Sequence, residues 1–243
     1  MERVYPRYLP AGDQALVVEF GETIDPAINR RVRDLTLAVQ RQCHPAVVDV
    51  VPTYRSLLVL YDARRASFAD MRAALVRAAE DAVTSSPPSP RVVEIPTCYG
   101  GEFGPDLEWV ARHAGLTPDQ VAATHADTDY LVYMMGFTPG FAYLGGMSPR
   151  IAAPRLQTPR TSIPAGSVGI AQQQTGIYPV ESPGGWQLIG RTPVRLFDPA
   201  RTPPVVVEAG DYVRFVRVDR PTYDRTEAEI ERGTYAPIVR EKQ

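Results

Sequence analysis

The chain has 243 residues, enough for one large domain or two modest ones with real cores, and its 44% hydrophobic and 22% charged residues are ordinary for a globular protein. A net charge of −2 gives no general pull toward nucleic acid or an anionic membrane. Of the 26 basic residues only Lys242 is a lysine, which excludes a G-x-x-x-x-G-K-[ST] phosphate loop and argues against Schiff-base or general-base lysine chemistry.

The N-terminal stretch "MERVYPRYLP" has no apolar signal region. The β-rich run "ALVVEF" (15–20) predicts a strand. "DPAINRRVRDLTLAVQRQ" (25–42) predicts a helix with Ile28, Val32, Leu35 and Val39 on one face, Asp25 as N-cap and Pro26 in the first position. "VVDVV" and "SLLVLYD" read as paired strands. "SFADMRAALVRAAEDAV" (67–83) reads as a second helix, opened by a Ser67/Asp70 capping box. Residues 1–84 are therefore expected to form a small α/β sandwich whose arginines sit on solvated helix faces. "TSSPPSP" (84–90) reads as a linker, because prolines favour extended backbone; we place it at 85–91, with a second domain over 92–243.

That second domain opens with the strand "RVVEIP". Two short helices follow near "DLEWVARHAG" and "TPDQVAATHA", the latter with Thr117, Pro118 and Gln120 in capping positions. From Tyr130 the pattern turns to β, through "YLVYMM", "SVGIA", "WQLIG", "VRLF", "VVVE" and "DYVRFVRV", separated by Gly/Pro turns, which argues for a barrel or sandwich. "TYDRTEAEIERG" predicts a late helix. Lys242, next to the end, is expected to be mobile.

Cys43 and Cys98 form no C-x-x-C pair, and neither is a disulfide framework; Cys98 reads as an inert thiol. The three histidines, His44, His113 and His125, make no zinc pattern, so no metal ligands are assigned. No apolar run reaches the ~18 residues of a membrane span. A reduced, soluble, cytoplasmic protein is the expectation.

Chemistry concentrates in residues 136–190, which hold 10 glycines and 7 prolines. Arg150, Arg155 and Arg160 stand there against a single acid, Glu181, and Arg191 follows. Free backbone N–H groups beside arginine forks suit an anionic ligand such as a carboxylate, carbamate or phosphate; tight barrel turns with exposed arginines are the alternative. "YMMGFTPGFAYLGG" (133–146) places four aromatics among four glycines without a charge.

"GFTPGFAYLGG", "PRTSIPAGSVGIA", "QTGIYP" and "SPGGWQLIGRTPVRLFD", together with "AGDQALVVEFG", "YRSLLVLYD" and "IPTCYGGEFGPDLEWVA", resemble the family described as allophanate hydrolase subunit 1 or KipI-like, in family order across about residues 8–220. The resemblance implies an α+β fold, a small N-terminal α/β sandwich domain followed by a cyclophilin-like β-barrel domain. The family includes the B component of bacterial 5-oxoprolinase, an enzyme that opens 5-oxoproline to glutamate with ATP and Mg2+. The homologous C component and the barrel-type A component of the same enzyme are the implied partners. Other members inhibit a sporulation histidine kinase or belong to urea- and allophanate-processing enzymes, and these remain the alternative readings. The family pattern has glycine where this chain has Gln172.

On that resemblance the "GFTPGFAYLGG" loop lies at a barrel rim beside a small ligand. Thr138 and Tyr143 would supply hydroxyls, and Phe141 an apolar wall. Arg155 and Arg160 would hold a carboxylate, with a salt bridge to a partner protein as their alternative. Gln174 and Tyr178 would bond amide or carboxyl groups. His125 would shuttle protons, or else be a satisfied polar group. Phe137 and Trp186 read as core aromatics. With no nucleotide motif, the chain alone is expected to be inactive.

Overall fold

A computed structural model describes residues 4–84 and 89–242. The chain divides into two compact units, Met1–Pro88 and Ser89–Gln243. Of the expected linker at 85–91, residues 85–88 lie outside the described residues, and Arg91 already opens a strand.

The first unit runs β1 (Arg7–Pro10), β2 (Ala15–Glu19), α1 (Pro26–Gln42), β3 (Val47–Pro52), β4 (Ser56–Tyr61) and α2 (Phe68–Thr84). Its antiparallel sheet has the order β1-β2-β4-β3. Strict alternation in β2 and β4 buries Leu16, Val18, Leu57, Val59 and Tyr61 against helix residues Val32, Leu35, Val39, Met71 and Leu75. Asp25 caps α1 by accepting from the Ala27 and Ile28 N–H groups, as its sequence predicts. The capping box at α2 also forms: the Asp70 N–H donates to Ser67 Oγ, and the Ser67 N–H to the Asp70 carboxylate.

The second unit runs β5 (Arg91–Tyr99), α3 (Leu107–Ala114), α4 (Pro118–Ala126), β6 (Asp129–Met135), β7 (Ala142–Gly145), a 3-10 turn at Pro149–Ile151, β8 (Arg160–Ile163), β9 (Ser167–Ala171), β10 (Gln174–Ile177), β11 (Ser182–Gly184), β12 (Gln187–Arg191), β13 (Tyr212–Arg217), α5 (Arg220–Glu231) and β14 (Val239–Glu241). Seven strands close a barrel in the order β12-β9-β10-β7-β6-β13-β5, sealed where Gly190 and Arg191 of β12 pair with Tyr99 and Cys98 of β5. Closure pairs the first and last strands of the barrel, and β14 adds to β5 outside the ring. Val93, Ile95, Tyr130, Val132, Leu144, Val168, Ile170, Ile189, Val213 and Phe215 fill the interior. The short strands β8 and β11 pair with each other outside the barrel.

Three expectations change. "VRLF" and "VVVE" form no strands, only one isolated bridge between Phe197 and Val205; Pro193, Pro199, Pro203 and Pro204 deny a ladder its donors there. Lys242 is anchored rather than mobile. Strand β14 pairs with the first residues of β5, the Lys242 N–H donates to the Pro90 carbonyl, and its ammonium donates to Asp129 at 2.7 Å.

Candidate functional site

Side chains alternate across the barrel wall. On β9 and β10, Val168, Ile170, Thr175 and Ile177 face inward, which leaves Gly169 and Gly176 facing out. These two glycines are direct cross-strand partners. A Cβ on Gly169 would lie 3.1 Å from Trp186 Cβ, and one on Gly176 would lie 3.1 Å from Trp186 Cζ3 and 3.5 Å from the Phe141 ring. The bare glycine pair is thus a floor on which Trp186 and Phe141 lie.

Glycines within 133–146 also make room for rings: a Cβ on Gly136 would lie 3.0 Å from the Tyr143 ring, and one on Gly145 2.1 Å from the Tyr133 ring. Phe141 meets Tyr143 at a ring separation of 5.2 Å, Trp186 at 6.0 Å and Tyr178 at 6.2 Å, all edge-to-face. Trp186 and Tyr178 meet at 6.2 Å. Such geometry suits aromatic quadrupoles. With Ile163, Ala171 and Leu188, the rings of Tyr178 and Trp186 form an apolar cluster separate from the barrel interior, and Phe141 packs against it. Burial pushes the Tyr178 hydroxyl up, while the Trp186 backbone N–H donating to it pulls the other way, as do the positive charges of Arg155 and Arg160.

The arginines take different places. The exposed Arg155 holds its guanidinium 5.8 Å from the centre of the Trp186 ring. Arg160 donates to Asp106 at 2.8 Å and toward the Trp186 carbonyl at 3.4 Å. The other Asp106 oxygen accepts the Leu188 N–H at 2.7 Å. Arg160 thus makes its ion pair within the chain, and its partner Asp106 is a residue that the sequence reading did not single out, though it lies within the quoted "GPDLEWVA".

The structure thus gathers Phe141, Tyr143, Arg155, Arg160 and Tyr178 around Trp186. Thr138 sits in the adjoining loop, where its carbonyl accepts the Phe141 N–H. Gln174 starts β10 on the same face as Gly176 and Tyr178. Phe137 is a correction: it is not a core plug but 96% exposed at the loop tip, because the short turn closed by the Gly136 N–H on the Phe141 carbonyl turns it outward. Gln172 occupies the β9–β10 turn at φ +55°, a left-handed conformation that explains glycine at this position.

His125 is elsewhere. It lies at the end of α4, fully buried inside the barrel, with its ring 4.4 Å from that of Phe215. Nδ1 lies 2.7 Å from the Tyr99 hydroxyl and Nε2 lies 2.7 Å from Thr175 Oγ1. Burial lowers its pKa to about 3, so the ring is neutral. Cys98 is half-buried and burial raises its pKa. Among the described residues no three of His, Cys, Asp and Glu come together as a metal site. No described helix is long and apolar enough to cross a membrane.

The family model described as carboxyltransferase domain, subdomain C and D, matches residues 6–207. A Bacillus subtilis protein named as the B component of 5-oxoprolinase is 46% identical over 87% of this chain and 92% of its own length. One of the same name from Escherichia coli O157:H7 is 42% identical over 84% of this chain and 93% of its own. Among solved structures, a conserved uncharacterized protein from Pyrococcus horikoshii is 48% identical over 89% of this chain and all of its own, with a TM-score of 0.54. The Kluyveromyces lactis urea carboxylase covers 97% of this chain with 24% of its own at 20% identity and a TM-score of 0.73, a likeness of fold alone.

Proposed function

The chain belongs to the carboxyltransferase-domain family, subdomains C and D, and on that premise we propose that it is the B component of an ATP-dependent 5-oxoprolinase that opens 5-oxo-L-proline to L-glutamate. The observation that carries this reading is the 46% and 42% identity to two bacterial proteins of that name across nearly the full length of both.

The chemistry of the site agrees with such a substrate. 5-Oxoproline is a flat, largely apolar lactam ring bearing one carboxylate. The Phe141, Tyr178 and Trp186 rings offer an apolar wall. Arg155 is the cation for the carboxylate, while Arg160, tied to Asp106, holds the β12 segment under Trp186 in place. Thr138, Tyr143 and Gln174 are the polar groups for the amide. A resonance-stabilised amide needs its carbonyl oxygen activated, which phosphoryl transfer from ATP supplies. The described residues offer no Mg2+ cluster, so we assign nucleotide and metal to the partners, the homologous C component and the barrel-type A component. We also read the barrel as cyclophilin-like and the two units as separate domains. The exposed Phe137, with the part-exposed Val180, is our choice for the partner-facing edge.

The test is glutamate release from 5-oxoproline with ATP and Mg2+, using the chain alone and then with its two partners. Activity in the full mixture and none from the chain alone is expected. No activity in a demonstrably assembled complex overturns the assignment and favours another amide or urea substrate.

A further inference from the structure

The buried His125 has no place in the chemistry above, yet its hydrogen bonds run toward the site. A hydroxyl has one proton. That of Thr175 is committed, because Oγ1 donates to the Gly169 carbonyl at 3.0 Å. In its 2.7 Å contact with His125, Thr175 can therefore only accept, so Nε2 carries the proton. Nδ1 is then the acceptor and takes the proton of the Tyr99 hydroxyl, which burial holds firmly in its protonated, donating form. The direction of the whole chain is fixed: Tyr99 O–H to His125 Nδ1, Nε2–H to Thr175 Oγ1, and Oγ1–H to the Gly169 carbonyl. Such chains of bonds are worth most where water is excluded.

The chain ends at a particular place. Gly169 is the cross-strand partner of Gly176, and Thr175 immediately precedes Gly176. The inner face of β9 and β10 is thus bolted to α4 and β5 at the glycine pair that carries Trp186 and Phe141 on its outer face. Neither glycine has a side chain of its own to fix the height of the floor. We propose that His125 is a positioning residue: through Thr175 it sets the Gly169–Gly176 floor and hence the seat of Trp186. The consequence for substrate rests on the reading of the Trp186 face as the binding surface; the consequence for Trp186 does not.

Two measurements test it on the full-length chain. The first needs no variant. Nitrogen-15 NMR of the imidazoles should show His125 as the neutral Nε2–H tautomer from pH 5 to 9; an Nδ1–H tautomer overturns the proposal. The second uses Thr175→Val, which keeps the shape and removes the hydroxyl, with Thr175→Ser as the conservative rescue, both in a Trp109→Phe background that leaves Trp186 as the only tryptophan. Thr175→Val should shift the Trp186 emission and indole N–H resonance, and Thr175→Ser should restore them. In the assembled enzyme the valine variant should raise KM for 5-oxoproline about five- to tenfold with kcat little changed. An unmoved Trp186 in a folded Thr175→Val protein overturns the positioning role. A moved Trp186 with unchanged KM upholds that role and overturns the placement of substrate on this face.

Discussion

Gln172 is held at φ +55° by a two-way backbone contact with Ala153, its N–H donating at 2.5 Å and its carbonyl accepting at 3.2 Å. A side chain there carries a local strain that glycine would not. Gln172→Gly is expected to stabilise the chain by about 0.5–1 kcal/mol, the strain relief exceeding the added freedom of the unfolded chain; urea unfolding checks it, and a loss of stability would show that the turn is unstrained. His125 acts through pH. Its folded pKa of about 3 lies below the usual 6.5, so the unfolded chain takes up the proton first as pH falls. The stability it contributes is complete above pH 6.5 and is lost progressively toward pH 3. Between pH 6.5 and pH 5 the loss attributable to this one residue is about 2 kcal/mol. His125→Gln, less stable at neutral pH, should show a correspondingly flatter stability profile over that interval in urea titrations at successive pH values.

Elements are joined at the site by very few groups. Asp106, just ahead of α3, accepts from Arg160 on β8 and from the Leu188 N–H on β12. Asp106→Ala leaves a buried N–H and a half-buried guanidinium without their acceptor, at a cost of about 2–4 kcal/mol. Asp106→Asn keeps an acceptor for Leu188 and should lose less than half of that; equal losses would place the energy in the ion pair alone. The same junction forbids bulk at Gly104, where a Cβ would fall 2.1 Å from the Ile189 carbonyl oxygen. Gly104→Ala should destabilise by about 2 kcal/mol or more, since a strand backbone cannot step aside as a flexible side chain can; thermal unfolding reads it directly.

The whole molecule holds two compact units, each with its own core cluster. If each unit is a domain, unfolding is not two-state, and calorimetry should give a van't Hoff enthalpy well below the measured one; equality of the two would make the chain a single cooperative unit. Assembly is decided at the same scale. Phe137→Ser should leave the stability of the chain unchanged within about 0.5 kcal/mol, as an exposed residue does, while weakening association with the partner components; unaffected association would remove Phe137 from the interface.

The local chemistry of the sequence was sufficient for the helices. Asp25, the Ser67/Asp70 pair and the Thr117/Gln120 pair cap where their residue types require, because capping is an interaction over three or four residues. The strong strands at "ALVVEF", "SVGIA" and "DYVRFVRV" follow from short-range patterning in the same way. The ordered motifs of the sequence also carried the family. What the sequence did not determine was direction. Arg160 and Asp106 lie 54 positions apart, and His125 and Thr175 lie 50 apart; closing the barrel brings these pairs together and settles which face each side chain meets. The inside and outside of a closed sheet alternate residue by residue and are defined only once the last strand pairs with the first, so closure decides that Thr175 faces in to meet His125 while Gly169 and Gly176 face out under Trp186, and the turn closed between Gly136 and Phe141 sends Phe137 outward.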